Sequence, residues 1–337
     1  MEQTLGSITH YLNLRRQESV NEGGPRRWIP IDFSSGRLPW TLTGSLRARR
    51  ELERVLADVD GVFMHTTTIA PASFDLFGRK PTVLSSDGTP LNKRFMRAAY
   101  GLKPESRAAS LAKRALYRNV FARAAGFVAW STWTKRSFVE DYGCRPEDIA
   151  VIPPGIDLDL FAPGDRTHEL PRLLFVGGDF LRKGGDLLLD VFRRRLRGRA
   201  ELVLVTGAEI PDEPGVTIYR NVAANSELLC RLYATSDIFA LPTRADCYSL
   251  VCMEALAAGL PIVATSVGGI PDLVREGDTG YIVESDDTAA LGDALESLVV
   301  DVARRQSMAV ACRAEALARF GVEDNARRLF EFVRSRC

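Results

Sequence analysis

Short apolar runs and amphipathic stretches alternate along most of the chain. The run at 237–241 is short enough for a buried strand and is stopped by Pro242. A loop follows at 243–246, and from Ser249 onward Leu250, Met253, Leu256 and Ala257 recur at helical spacing. Gly259 and Pro261 close that helix, because glycine suits the left-handed C-terminal position and proline cannot continue a helix. A second apolar run, 262–264, comes next. The same pattern predicts strands at 61–65, 81–85, 126–130, 172–176, 202–206, 216–219 and 238–241, and a short one at 28–33. Helices are predicted at 7–16, 46–56 and 186–195, after a cap at Ser131 or Thr132, and from Asp287 to the end, the last at about 324–334. Strands alternating with helices specify α/β architecture. Only 2–5 precedes the first helix, and it is too polar for the buried strand with which a doubly wound domain opens.

Composition narrows this picture little. The 337 residues suggest two domains, and 46% hydrophobic with 26% charged residues is the balance of a globular protein. A net charge of +1 and the lack of a reading module argue against nucleic acid. The six cysteines form no C-x-x-C pair, so a reduced, cytoplasmic setting is expected, with no metal site from three histidines. No run reaches the length of a membrane span, and no signal peptide is expected before the first helix. One local excess of charge stands out at 93–136, which opens at Lys93, closes at Arg136 and holds Glu105 as its one noted acid. It reads either as a solvated helix face or as a surface for anionic lipid or a phosphorylated acceptor, at the inner membrane face.

The candidate chemistry sits in loops. After the strand at 172–176, the segment 177–185 carries Gly177, Gly178, Gly184 and Gly185 with Arg182 and Lys183. It is neither a Walker nor a Rossmann fingerprint, but its glycines allow close backbone approach and its cations suit a diphosphate. After the strand at 238–241 come Asp246, in the loop, and Glu254, one turn into the helix, placed to flank a group rich in hydroxyls at a helix N-terminus. Gly268 and Gly269 are expected to bring backbone close to a ligand. His65 and Asp87 occupy strand C-terminal ends, where α/β sheets bind ligands, although Asp87-Gly88 is equally a turn pair. His10 lies in the first helix.

The stretch from Asp246 through Cys247, Tyr248, Ser249, Leu250, Val251, Cys252 and Met253 to Glu254, followed by Ala-Leu-Ala-Ala-Gly-Leu-Pro-Ile-Val, resembles the acidic-x7-Glu signature of glycosyltransferase family 4. Ser266 to Asp272 and Gly277 to Tyr281 fit as well, and the resemblance is strongest over 151–283. It implies the GT-B fold: two facing, doubly wound Rossmann-like α/β domains with a cleft between them. Residues 1–155 would be an acceptor-binding domain, 156–318 a nucleotide-sugar-binding domain, and 319–337 a helix crossing back to the first. The family places a strand and a glycine-containing loop before the first helix, so the first strand is expected to be missing or incomplete through a start assigned too late. The family's linker matches 150–161, which argues against reading Asp157-Leu158-Asp159 as a metal motif.

The resemblance further implies retaining transfer of a hexose from a UDP-, GDP- or ADP-sugar, without metal or cofactor, to a glycan, lipid or small-molecule acceptor. Lys183 matches the family lysine. Gly178 stands where an arginine is usual, so Arg182 is expected to take over that work. Asp246, in place of the usual glutamate, would bind sugar hydroxyls, and Glu254 those of the ribose. Gly177, Gly178, Asn221, Tyr248, Ser249 (at a usual glycine position) and Leu250 would line the donor, with Asn221 near the base. Asp87 holds the place of the cleft histidine, with His65 as its substitute, and His10 would lie on the acceptor side. The alternatives are a catalytically impaired nucleotide-sugar-binding protein, or a GT-B phosphorylase or epimerase.

Overall fold

The computed structural model describes residues 5–17, 26–33 and 39–337, with side chains from His10 onward. The chain divides into two compact units. Unit 1 comprises Met1–Arg97, Lys103–Gly155 and Val322–Cys337, and unit 2 comprises Ala98–Leu102 and Ile156–Gly321. The stretch 2–4, where a first strand was sought, lies outside the described residues, and Leu5 already begins α1.

Unit 1 contains α1 (Leu5–Arg16), α2 (Trp40–Val55), β1 (Val62–His65), β2 (Thr82–Ser86), α3 (Pro90–Phe95), α4 (Arg107–Phe121), β3 (Gly126–Ala129), α5 (Thr132–Tyr142) and β4 (Ile149–Val151). Its four described strands are parallel and lie in sequence order. Alternate strand residues feed opposite faces, as the pleat requires. Leu84, Phe127 and Ala129 join Leu52, Phe121 and Phe138 on one face, while Val83 and Val128 join Leu14, Leu329 and Phe330 on the other. Ser131 caps α5 by accepting from the Thr134 amide, which selects Ser131 over Thr132. Two expectations need correction. No strand forms at 28–33, where only Ile31 makes a β-bridge, because Trp28 and Ile31 pack into the two apolar clusters instead of joining a ladder. The segment read as a linker begins later than expected, since Ile149–Val151 completes the sheet beside β3.

Unit 2 contains β5 (Arg172–Val176), α6 (Gly185–Val191), β6 (Glu201–Val205), β7 (Val216–Tyr219), α7 (Glu227–Ala234), β8 (Ile238–Leu241), α8 (Leu250–Ala257), β9 (Ile262–Thr265), β10 (Gly280–Val283), α9 (Thr288–Val300) and α10 (Val302–Arg319). The final helix, α11 (Val322–Arg334), belongs to unit 1 and packs on α1 through Leu329 and Phe330. The sheet of unit 2 is parallel, in the order β10-β9-β8-β5-β6-β7. The chain therefore runs outward from β5 through β6 and β7, then returns to the other side of β5 with β8. That reversal makes the gap between β5 and β8 the topological switch point, where loops leave in opposite directions and open a crevice. Strand β10 was not anticipated. It is short, with two of its four residues only half-buried, so its apolar signal is weak. Helix α8 is apolar on nearly every side because it is enclosed, with Cys252, Met253, Ala255, Leu256 and Ala257 all buried and Glu254 its one charged residue.

Candidate functional site

The switch point of unit 2 places the loop after β5 beside the loop after β8. Gly184 sits at φ +76°, and a Cβ there would lie 1.9 Å from the Pro242 carbonyl oxygen, so only glycine lets the two loops touch. Gly268, at φ +61°, has the same role against the next loop, since a Cβ would fall 2.0 Å from the Asp246 carbonyl oxygen. Gly269 donates its amide to the Cys247 carbonyl at 2.8 Å. The close approach expected of Gly268 and Gly269 is thus to the protein's own backbone. Gly177 packs against Phe175 and Lys183, whereas Gly178 faces open space.

Lys183 and Asp246 meet directly, Nζ to Oδ2, at 2.5 Å, with side chains 15% and 12% exposed. The sequence reading gave them separate tasks; folding makes them one charge-assisted pair. Arg182 is held elsewhere. Its Nε donates to Asp179 at 3.0 Å, its Nη1 donates to the Ala245 carbonyl at 2.7 Å, and its guanidinium lies over the Tyr100 ring. These contacts tie the loops together.

Helix α8 begins at the same place. Its N-cap residue Ser249 makes no side-chain cap, and the buried Ser249 Oγ has no partner. Glu254 is 5% exposed, and its Oε2 also lacks a partner. Burial pushes its carboxyl up to about 7. Tyr233, fully buried behind it, donates its hydroxyl to the Val251 carbonyl at 3.3 Å. At the other end of α8, Arg313 donates to the Ala257 carbonyl and Arg166 to those of Ala258 and Gly259, satisfying orphan acceptors of the last turn. Tyr248 is buried and its phenol is raised by desolvation, while Leu250 is half-buried. Asn221 is exposed at φ +57° just past β7, the edge strand two places from β5.

Unit 1 gathers a different set. The β1–β2–β3 register brings His65 opposite Ser85, and the His65 Nδ1 lies 3.2 Å from the Ser85 hydroxyl. His65 stacks on Trp130 at 5.0 Å, and His10 meets both rings edge-on, 5.1 Å from His65 and 5.0 Å from Trp130. The two histidines are 4% and 1% exposed, and neither His10 nitrogen has a partner. Burial lowers His10 to about 3 and carries His65 well below its ordinary value, with His10 and Lys93 adding repulsion. Both rings are therefore neutral at physiological pH. Asp87 is part-exposed and paired with Lys93 at 2.9 Å. The sequence reading missed Trp130 and Ser85 as partners of these histidines, and Arg244 in unit 2. Trp130 was legible as the end of a strand next to two others; Arg244 carried no signal beyond its place before Asp246. Among the described residues no group of three or more His, Cys, Asp or Glu could hold a metal ion, and the Asp157 carboxylate accepts from the Leu160 amide, a turn contact.

Two family models match the chain, one described as Glycosyltransferase Family 4 over residues 9–160 and one as Glycosyl transferases group 1 over 170–301. Both matched models describe glycosyltransferases, and between them they cover most of the chain. Curated relatives include proteins named D-inositol 3-phosphate glycosyltransferase. That of Geodermatophilus obscurus is 34% identical, covering 65% of this chain and 53% of its own length. That of Nocardia farcinica is 33% identical, covering 59% and 50%. The chain thus spans about half the length of the curated relatives it matches. Among solved structures, sucrose-phosphate synthase from Thermosynechococcus elongatus superposes with a TM-score of 0.72 at 19% identity, over 93% of this chain and 82% of that one. WaaG, a glycosyltransferase involved in lipopolysaccharide biosynthesis, gives 0.69 at 16% identity over 97% and 96%. Anabaena HepE in complex with UDP gives 0.70 at 18% identity over 87% and 84%. The fold is GT-B, with two parallel-sheet α/β domains.

Proposed function

We propose that the protein transfers a hexose from a nucleoside-diphosphate sugar, with retention at the anomeric carbon. The observation that carries this reading is the switch point of unit 2, where the part-buried Lys183–Asp246 pair lies beside the first turn of a helix with two unpartnered buried oxygens, Ser249 Oγ and Glu254 Oε2. Unpaired buried polar atoms are costly, and a ligand rich in hydroxyls and phosphate oxygens would satisfy them. Glu254 would accept from the ribose hydroxyls, Lys183 would face the diphosphate, and Asp246 would hold both Lys183 and a sugar hydroxyl. Gly177, Gly178, Tyr248, Ser249 and Leu250 would line the donor, with Asn221 toward the base.

As the sugar–phosphate bond breaks, negative charge grows on the departing phosphate oxygen, and Lys183 with backbone amides would stabilise it there. The acceptor oxygen would bond to the same face of the anomeric carbon while its proton passes to that phosphate oxygen, so no protein nucleophile is needed. On the acceptor side we assign Asp87 a binding role, and we assign the buried His65 and His10 to shaping the end of the sheet. HepE has also been solved in complex with UDP-glucose, so UDP-glucose is the first donor to test. A phosphorylated cyclitol is the first acceptor, after the relatives' name.

Titration separates the two ends of the donor. Glu254→Gln should weaken both uridine and UDP, whereas Lys183→Ala should weaken UDP alone and lower turnover at least ~100-fold, the scale for losing a charge-stabilising group. Normal transfer by Lys183→Ala, or no transfer of labelled hexose by the wild type with any nucleotide sugar, would overturn the reading. Donor binding without transfer would favour the impaired binding protein.

A further inference from the structure

We propose that Arg244 is a positioning residue of the donor site, locking the Gly-rich loop after β5 to the carboxylate loop after β8 and thereby setting the Lys183–Asp246 distance. The inference rests on the donor-site reading above and adds to it a residue outside the family signature.

The backbone alone does not hold these loops together. The pairing of β5 with β8 comprises Leu173 with Ile238 and Leu174 with Phe239, and it stops two residues short of both strand ends, Val176 and Leu241. Beyond that point the ladder ends, and apart from one backbone bond, from the Arg244 amide to the Arg182 carbonyl, side chains fix the separation. Four consecutive residues do so. Thr243 Oγ1 donates to the Arg182 carbonyl at 3.1 Å, and the Ala245 carbonyl accepts from Arg182 at 2.7 Å. Asp246 takes Lys183. Between them, Arg244 grips three segments at once. Its two terminal nitrogens donate to both Asp186 oxygens at 2.7 and 2.9 Å, at the start of α6, and Nη1 also donates to the Leu181 carbonyl at 2.5 Å. Its Nε donates to Asp286 at 2.7 Å, beyond β10, and its backbone amide donates to the Arg182 carbonyl at 2.8 Å.

Four of the five guanidinium N–H groups are thus committed to the protein, which makes Arg244 a strut and not a ligand for phosphate. The planar fork matters, because lysine presents a point charge and cannot span two carboxylates and a carbonyl in one plane. A small displacement of Lys183 would be felt strongly at the diphosphate, where charge must be met at a defined position.

The test uses Arg244→Met and Arg244→Lys in the full chain, with UDP and uridine as ligands and amide exchange of residues 181–186 and 243–246. Both variants should lose about tenfold or more in UDP affinity, the effect of a sub-ångström misplacement. Uridine affinity should stay within about twofold, since it depends on Glu254 and the base loop. Exchange should quicken in both loops. Unchanged UDP affinity, full rescue by lysine, or equal loss for UDP and uridine would overturn the proposal, the last by showing general loosening. Should the wild type bind neither ligand, the donor-site reading is what fails. Exchange then decides Arg244 alone: faster exchange in both loops supports the strut and unchanged exchange overturns it.

Discussion

Glu254 joins stability and binding in one side chain. Burial raises its folded-state carboxyl to about 7, against an ordinary value of 4.5. The folded state therefore holds a proton that the unfolded chain releases, so this group favours folding most at low pH, and that contribution is lost as pH rises from about 4.5 through 7. Replacing it should relieve the cost. Glu254→Gln is expected to raise the melting temperature at pH 8, by a few degrees, while leaving it little changed at pH 5. Binding should run the other way, because only the carboxylate accepts well from two ribose hydroxyls. Wild-type UDP affinity should climb between pH 6 and pH 8, and the glutamine variant should show a flat profile. Calorimetric titration across that range, with thermal melts on the same samples, checks both; a flat wild-type profile would remove Glu254 from the ribose site.

At the scale of elements, the loop bearing Asp246 leads into a helix held at its far end. Helix α8 is fastened by Arg313 and Arg166 at its C-terminal carbonyls, so its N-terminus and Glu254 stay in place. Helix α11 comes last in the chain yet belongs to the first unit. Its inner face supplies Ala326, Leu329 and Phe330 to the same cluster as Leu14, Val83 and Val128. Leu329 is 3% exposed, and truncating it to alanine should cost about 2–5 kcal/mol of unit 1 stability, the usual range for a buried leucine. Urea unfolding followed by probes in unit 1 measures this. A loss under about 0.5 kcal/mol, the surface value, would mean that α11 is not docked as described.

At the scale of the whole molecule, the basic run is less free than its composition implied. Lys93 pairs with Asp87, Arg97 donates to the Lys103 carbonyl, Arg114 to that of Asp141, and Lys135 to that of Ile149. What reaches solvent is a stripe on α4, where Arg107, Leu111 and Arg118 are exposed at helical spacing, with Leu111 at 67% and, on α3, Phe95 at 80%. Tyr117, Val120 and Phe121 of the same helix are buried in the core. No helix among the described residues is long and apolar enough to cross a membrane. The mixed stripe instead suits peripheral contact with anionic lipid, which we propose as a property of unit 1. Vesicles rich in phosphatidylglycerol should bind more protein than neutral ones, less so at higher salt, and Leu111→Ser with Phe95→Ser should weaken binding. Equal binding to both vesicle types would leave the stripe a solvated face.

The α/β alternation, nearly every strand and the loops bearing Lys183 and Asp246 were legible in the chain, because burial of short apolar runs and the backbone demands of glycine and proline act locally. Strand β10 escaped because it is half-buried, and 28–33 misled because apolar residues can pack without joining a ladder. What only tertiary structure decided is who meets whom. Asp246 and Lys183 lie far apart in sequence, and Arg244 is two residues from one of them and distant from Asp186 and Asp286. Those pairings follow from the strand order that sets β5 beside β8, and strand order is fixed by how apolar faces are covered over the whole unit, which no local stretch encodes.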